Sequence, residues 1–258
     1  MSALPSFLTY TGDSIPRPLT RRRHFVLREP TPEIERGTFI PKIISKPLNP
    51  GYGFKFAIFA GIHGDEEAGT LAAFDLIRWA SEQPVELHDY ELHIYPVCNP
   101  TGRRSHTRHS GSGIDLNRQF WNESNEPEVQ YLEGELRREK YDGIISLHSD
   151  EDSDGVYGFV GGSFLSEHLL KPALREASKI LPRNDAQVID GFLADKGIIR
   201  EGYLGMLTAP PGQASSALEI VFETPSLAPM PLQVSATVVA VKTILARYRQ
   251  LQSYAPNL

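Results

Sequence analysis

The sequence holds a single cysteine, Cys98. That excludes an intrachain disulfide and leaves no thiolate set for a structural zinc site. No run of about 18 apolar residues occurs, so no membrane-spanning helix is expected. Residues 1–14 lack a basic start and a sustained apolar stretch, so they do not read as a secretory leader and cytoplasmic residence is expected. An excess of positive charge is missing too: 26 Lys+Arg stand against 32 Asp+Glu, a net charge of −6. A nucleic-acid binder usually presents a basic face, so none is expected here. Neither a phosphate-binding Walker A loop nor a G-x-S-x-G nucleophile elbow is present.

What remains is the composition of a globular chain. Of 258 residues, 40% are hydrophobic and 22% charged. That length can form one α/β domain over residues 1–258, with 1–50 as its N-terminal edge-strand segment. Within that segment, 23–27 and 38–44 read as edge strands, and the run Arg21-Arg22-Arg23 as a solvated face. Further on, compact apolar runs at 54–60, 92–97, 143–147, 156–160 and 217–222 read as strands. Helical spacing marks 66–82, 126–140, 164–181 (with Pro172 as a possible kink) and 233–252. Strands alternating with helices predict a mixed, mostly parallel β-sheet flanked by helices.

Three of the apolar strands run into groups suited to catalysis: the first into His63, the third into His148, the last into Glu223. Ligands of open α/β sheets bind at the carboxyl ends of the strands. Without Cys, zinc takes His nitrogen and carboxylate oxygen, and a catalytic site needs three protein ligands and one open position. His63 and Glu66 form H-x-x-E, which lets one turn of chain aim both at one ion. The spacing alone is weak, because H-x-x-E also occurs at His88/Glu91 and His148/Glu151. Context separates them: His63 sits at a strand-to-helix turn between Gly61 and Gly64, whereas His88 lies in a polar connection after Pro84. Asp65 or Glu67 could stand in for Glu66, which has the best register. Taken singly, His63 reads equally well as a helix-start residue and His148 as a satisfied core histidine.

Residues 99–120, NPTGRRSHTRHSGSGIDLNRQF, place Arg103, Arg104, Arg108 and Arg118 among glycines. Arginine's planar fork matches carboxylates, so an anionic substrate is favoured over a merely solvated basic loop. No interleaved aromatics suggest base stacking. Cys98 as a nucleophile with His106 or His109 shows no activating pattern, and a buried structural thiol is the commoner case.

At GIHGDE (61–66), NPTG (99–102), RHSGSGIDLNRQF (108–120), SLHS (146–149) and FETP (222–225), in that order, the chain resembles the zinc carboxypeptidases. That group comprises carboxypeptidase A-like metallopeptidases with their succinylglutamate desuccinylase and aspartoacylase relatives. The resemblance implies one Zn²⁺ held by His63, Glu66 and His148, with Asp115 fixing the His63 ring. It implies Glu223 as general base and acid, and Arg108 as oxyanion stabiliser, with Arg104 competing for that place. It implies Asn117 and Arg118 as binders of the substrate's free carboxylate, and Tyr203 as a mobile-loop tyrosine. The substrate would be a peptide or an N-acyl amino acid with a free carboxylate. Metallocarboxypeptidase-like amide cleavage is the leading expectation and deacylation of N-acyl amino acids the alternative. A non-catalytic carboxylate-binding protein on this fold would be expected to lack a ligand or the base.

Overall fold

In the computed structural model, which describes residues 25–28, 39–48, 53–162, 164–212 and 217–254, the run FKFAIFA is β3 (Phe54–Ala60). Its side chains alternate between two cores, as a strand's period of two requires. Phe56, Ile58 and Ala60 join one apolar cluster, Ala57 and Phe59 the other. A strand buried on both faces has no polar side to show, which is why the run is continuously apolar.

The same reasoning places β4 (Tyr90–Tyr95), β5 (Gly143–Asp150) and β10 (Leu218–Pro225) beside it. With β1 (Phe25–Arg28), β2 (Lys42–Ser45), β6 (Tyr157–Gly162), β7 (Val188–Ile189), β8 (Phe192–Asp195) and β9 (Ile198–Ile199), they form one sheet. Its order is β1-β2-β4-β3-β5-β10-β6-β9-β8-β7. The central β4-β3-β5-β10 block is parallel. β2 and β6 join it antiparallel on either side, so the sheet is mixed. Helices α1 (Glu67–Glu82), α4 (Leu165–Ala177) and α5 (Met230–Tyr254) pack their apolar residues into the first cluster. α3 (Pro127–Glu139) packs Val129, Leu132 and Leu136 into the second.

The expected mixed, mostly parallel sheet between helices is therefore present, with element ends shifted by a few residues. The strand expected at 92–97 starts and stops two residues earlier, because Pro96 and Asn99-Pro100 end the ladder. Pro172 stays inside α4, whose last turn closes before residue 181. Two features went unforeseen: the short α2 (Pro100–Ser105) and the β7–β8–β9 edge, whose strands of two to four residues are too short for a periodic signal. The triple arginine and most of the 1–50 segment lie outside the described residues.

Two glycines set how closely the site's elements approach. A Cβ on Gly69, in the first turns of α1, would lie 2.9 Å from the Leu147 carbonyl oxygen, so glycine lets that helix press onto β5 beside His148. A Cβ on Gly64 would lie 2.0 Å from the Gly102 carbonyl carbon in α2. Gly64→Ala is therefore expected to cost about 2 kcal/mol or more, because the obstacle is backbone rather than a yielding side chain. Differential scanning fluorimetry should show the melting temperature falling by roughly 5 °C or more. An unchanged melting temperature would mean that α2 shifts without cost.

Candidate metal centre

The parallel β3, β5 and β10 are neighbours, so their carboxyl ends share one edge of the sheet. His63 follows β3 after a tight turn in which Gly61 adopts φ 62, a left-handed conformation that glycine takes without strain. Glu66 is the N-cap residue of α1. His148 lies near the end of β5, and the ladder sets it directly beside Glu223 of β10. All four side chains are nearly buried: His63 is 3% exposed, His148 4% and Glu223 9%, and the Glu66 side chain is 9% exposed.

Glu66 sits between the two histidines. One carboxylate oxygen meets His63 Nδ1 in a short contact, and the other lies 2.9 Å from His148 Nδ1. The backbone N–H of Ser149 donates to that second oxygen at 3.0 Å. Ligand atoms of His63, Glu66 and His148 all fall within 4.8 Å of one another. Two imidazole nitrogens and a carboxylate oxygen, all turned inward, are a donor set suited to a divalent cation of the zinc type. The far side of the His63 ring is held by Asp115, whose Oδ1 is 3.1 Å from Nε2. Such a partner fixes the tautomer, leaving Nδ1 as the nitrogen with a free lone pair.

The electrostatics follow from burial and these contacts. Burial alone would raise Glu66, but His148 and His63 outweigh it and hold the carboxyl far below the usual range. The two histidines then diverge for a visible reason. Burial depresses both, yet His63 lies between the carboxylates of Glu66 and Asp115 and ends raised. His148 has Glu66 but not Asp115, and burial keeps it depressed. Burial would likewise raise Asp115, yet its bond to His63 and the nearby Arg108 and Arg118 bring it well down. Glu223 is pushed well up, first by burial and then by the negative charges of Glu66, Asp150 and Asp190.

The centre opens into a cleft of about 490 Å³. Arg108 lines it, donating through Nε to Asp115 Oδ2 at 3.1 Å, with Nη1 at 3.6 Å from Glu66. Asn117 lines it with Oδ1 accepting from the Leu207 N–H at 2.9 Å. The guanidinium of Arg118 lies 3.9 Å from the centre of the Tyr203 ring, a cation–π stack. The Tyr203 hydroxyl is committed to Asp190, donating to Oδ1 at 2.8 Å. Arg104 stands apart, exposed on α2 and outside the cleft lining.

Sequence reading passed over three polar residues of this cleft. Asp150 lies two positions past His148 on the same strand face, and Tyr157 pairs in register with Glu223 and donates to Asp150 at 2.9 Å. Asp190 takes φ 50 beside Gly191 in the β7–β8 turn. The strand period marks Asp150, and the Asp-Gly pair marks a hairpin turn. Nothing local shows that this turn leans over the cleft.

Other titratable groups have simpler explanations. Glu91, His93 and Glu139 also cluster, but Lys42 and Lys55 reach Glu139 at 3.0 and 3.2 Å and already balance the charge. His88 bonds the Val85 carbonyl oxygen and pairs with Asp89 at the surface. Cys98 is fully buried and its thiol is pushed far up by that burial, which suits packing rather than nucleophilic attack.

Residues 52–181 match the family model of the succinylglutamate desuccinylase/aspartoacylase catalytic domain. That span holds His63, Glu66, Asp115 and His148, while Glu223 lies beyond it. No curated protein matches the chain. Among solved structures, a candidate metallopeptidase from Shewanella baltica is 23% identical with a TM-score of 0.70, over 86% of each chain. A metallo-carboxypeptidase from Pseudomonas aeruginosa, in complex with (2-guanidinoethylmercapto)succinic acid, is 20% identical with a TM-score of 0.63. The match covers 83% of this chain and 62% of that one. The ectoine utilization protein EutE (DoeB) from Ruegeria pomeroyi, with product bound, is 16% identical with a TM-score of 0.55, over 81% of this chain and 60% of that one.

Proposed function

Since the chain belongs to the succinylglutamate desuccinylase/aspartoacylase catalytic-domain family, we propose that it is a zinc-dependent hydrolase cutting an amide bond next to a free carboxylate. The observation that carries this reading is the convergence of His63, Glu66 and His148 within 4.8 Å, with Glu223 alongside on the next strand. Those three residues would hold one ion, which supplies Lewis acidity that acidifies a water and polarises a carbonyl.

The chain's own residues carry the remaining steps. Glu223 takes a proton from the attacking water and returns it to the leaving amine. Its burial and acidic surroundings raise its proton affinity, and a carboxyl beside a divalent cation becomes more acidic again. Those opposed pulls suit a group that must both accept and release a proton. Arg108, held by Asp115 at the cleft wall, donates to the oxyanion that develops on the carbonyl. Asn117, its Oδ1 occupied, offers its NH₂, and Arg118 its guanidinium, to the substrate's carboxylate. Tyr203 positions Arg118 by stacking on it.

Two substrate types fit. The family match favours a small acyl group on an amino acid, while the carboxypeptidase neighbour favours a peptide cut at its C-terminal residue. Assay of N-acetyl and N-succinyl amino acids against C-terminally free dipeptides separates them. Turnover of either should vanish with a chelator and return with Zn²⁺; metal-independent turnover would overturn the reading.

Arg118→Ala tests the carboxylate contact. It is expected to lower kcat/KM by about 10–100-fold on carboxylate substrates, the worth of a charge-assisted hydrogen bond. On the amidated counterparts it should change little. Equal losses on both would remove Arg118 from carboxylate recognition.

A further inference from the structure

A second cavity, of about 200 Å³, continues from the cleft and shares Phe159, Tyr203, Met206 and Val221 with it. The strand period explains why it lies there. On β10, Glu223, Val221 and Glu219 point to one face, and on β5 so do His148, Ser146 and Ile144. The side pocket is this same sheet face followed away from the metal centre. Glu219 lies four residues before Glu223, roughly 13 Å along the strand at about 3.3 Å per residue.

The pocket walls are mostly apolar, with Ile144, Phe159, Val160, Met206 and Leu207 among them, and of its two carboxylates Glu201 is exposed while Glu219 is partly buried. Glu219 Oε1 accepts from the Ala209 N–H at 2.9 Å. Its Oε2 lies over Gly161, its partner on β6, where a Cβ would come within 2.7 Å. Glycine at that position leaves room for the carboxylate. Among the described residues no Lys, Arg or His forms an ion pair with Glu219. The one cation in the wall, Arg200, is committed to Glu167 through two bonds of 2.8 Å.

We propose that this side pocket binds an aliphatic chain ending in a cation, an ammonium or guanidinium carried by the amino-acid part of the substrate, with Glu219 as its counter-ion. An unpaired carboxylate against apolar walls is costly, and a ligand cation relieves that cost, while the walls suit a methylene stem. Burial raises the proton affinity of Glu219, against the Ala209 N–H that lowers it. The proposal rests on the amide-hydrolase reading, because the carboxylate held by Arg118 and Asn117 is what directs the side chain inward.

The test uses the zinc-loaded full chain and two readouts. Calorimetric titration with free L-arginine, L-lysine, L-citrulline and L-norleucine reads binding without turnover; the corresponding N-acetyl derivatives read kcat/KM. Arginine or lysine should bind at least about tenfold tighter than citrulline and norleucine, whichever head group leads, the same ratio appearing in kcat/KM. Glu219→Gln can still accept from the Ala209 N–H, and it should reduce the ratio to about two or less at an unchanged melting temperature. Equal binding of arginine and citrulline by the wild type, a preference for citrulline, or a preference surviving in Glu219→Gln would overturn the proposal. Cation preference in binding without any hydrolysis would sink the hydrolase reading and leave the pocket assignment standing. Hydrolysis without the preference would do the reverse.

Discussion

Glu223→Gln is expected to lower kcat by about 10²–10⁴-fold, the range attached to a positioned general base and acid, while zinc content stays at one ion per chain. The amide matches the carboxyl in shape but cannot take up a proton. Glu223 is not among the three converging residues proposed as ligands, so the ion should stay. The fold should lose nothing either. The Glu223 carboxyl is buried among Glu66, Asp150 and Asp190, which raise its pKa, so its charged form opposes folding. That opposition is absent at low pH, where the group is protonated, and grows once the pH rises above its unfolded value. At alkaline pH the Gln variant should therefore melt at the wild-type temperature or above it. Turnover close to wild type would remove Glu223 from the mechanism; lost zinc would recast it as a ligand.

The other large effect belongs to Glu66→Ala. Glu66 bridges His63 and His148, so its loss removes one proposed ligand and the group that holds both rings in place. Zinc affinity should fall more than about 100-fold, beyond the 10–100-fold typical of losing a supporting partner, and turnover should fall with it. Melting temperature offers a readout apart from activity. Zinc at 100 times its Kd should stabilise the wild type by about 2.7 kcal/mol, roughly 5–10 °C, and Glu66→Ala hardly at all. The wild-type shift should shrink as the pH falls. Glu66 and Asp115 raise the proton affinity of His63, and the metal must displace that proton. A Glu66→Ala protein that keeps equimolar zinc and the full thermal shift would place the ion elsewhere.

The sequence made the strands legible because burial on both faces demands uninterrupted apolar runs, as in β3. It made the strand-end polar groups legible because His63, His148 and Glu223 interrupt such runs. Their meeting is a product of strand order, which places β5 between β3 and β10, and no local pattern encodes that order. The placement of Arg108 and Arg104 also needed three dimensions: α2 turns Arg104 outward, while Asp115 holds Arg108 at the cleft. Asp190 and Glu219 were invisible for different reasons. The first reaches the cleft only through the lean of a short hairpin. The second stands in an apolar strand, where a lone Glu reads as a solvent-facing position. Tyr203 was expected on a mobile loop; its hydroxyl is tied to Asp190 and its ring carries Arg118.

X-ray absorption at the zinc edge of the loaded, full-length chain tests the shared ion most directly. Two imidazoles should appear, with nitrogen at about 2.0–2.1 Å, completed by oxygen from Glu66 and solvent. A shell without imidazole scattering, or one unchanged when His148 is replaced by Ala, would contradict the convergence of His63, Glu66 and His148 on one ion.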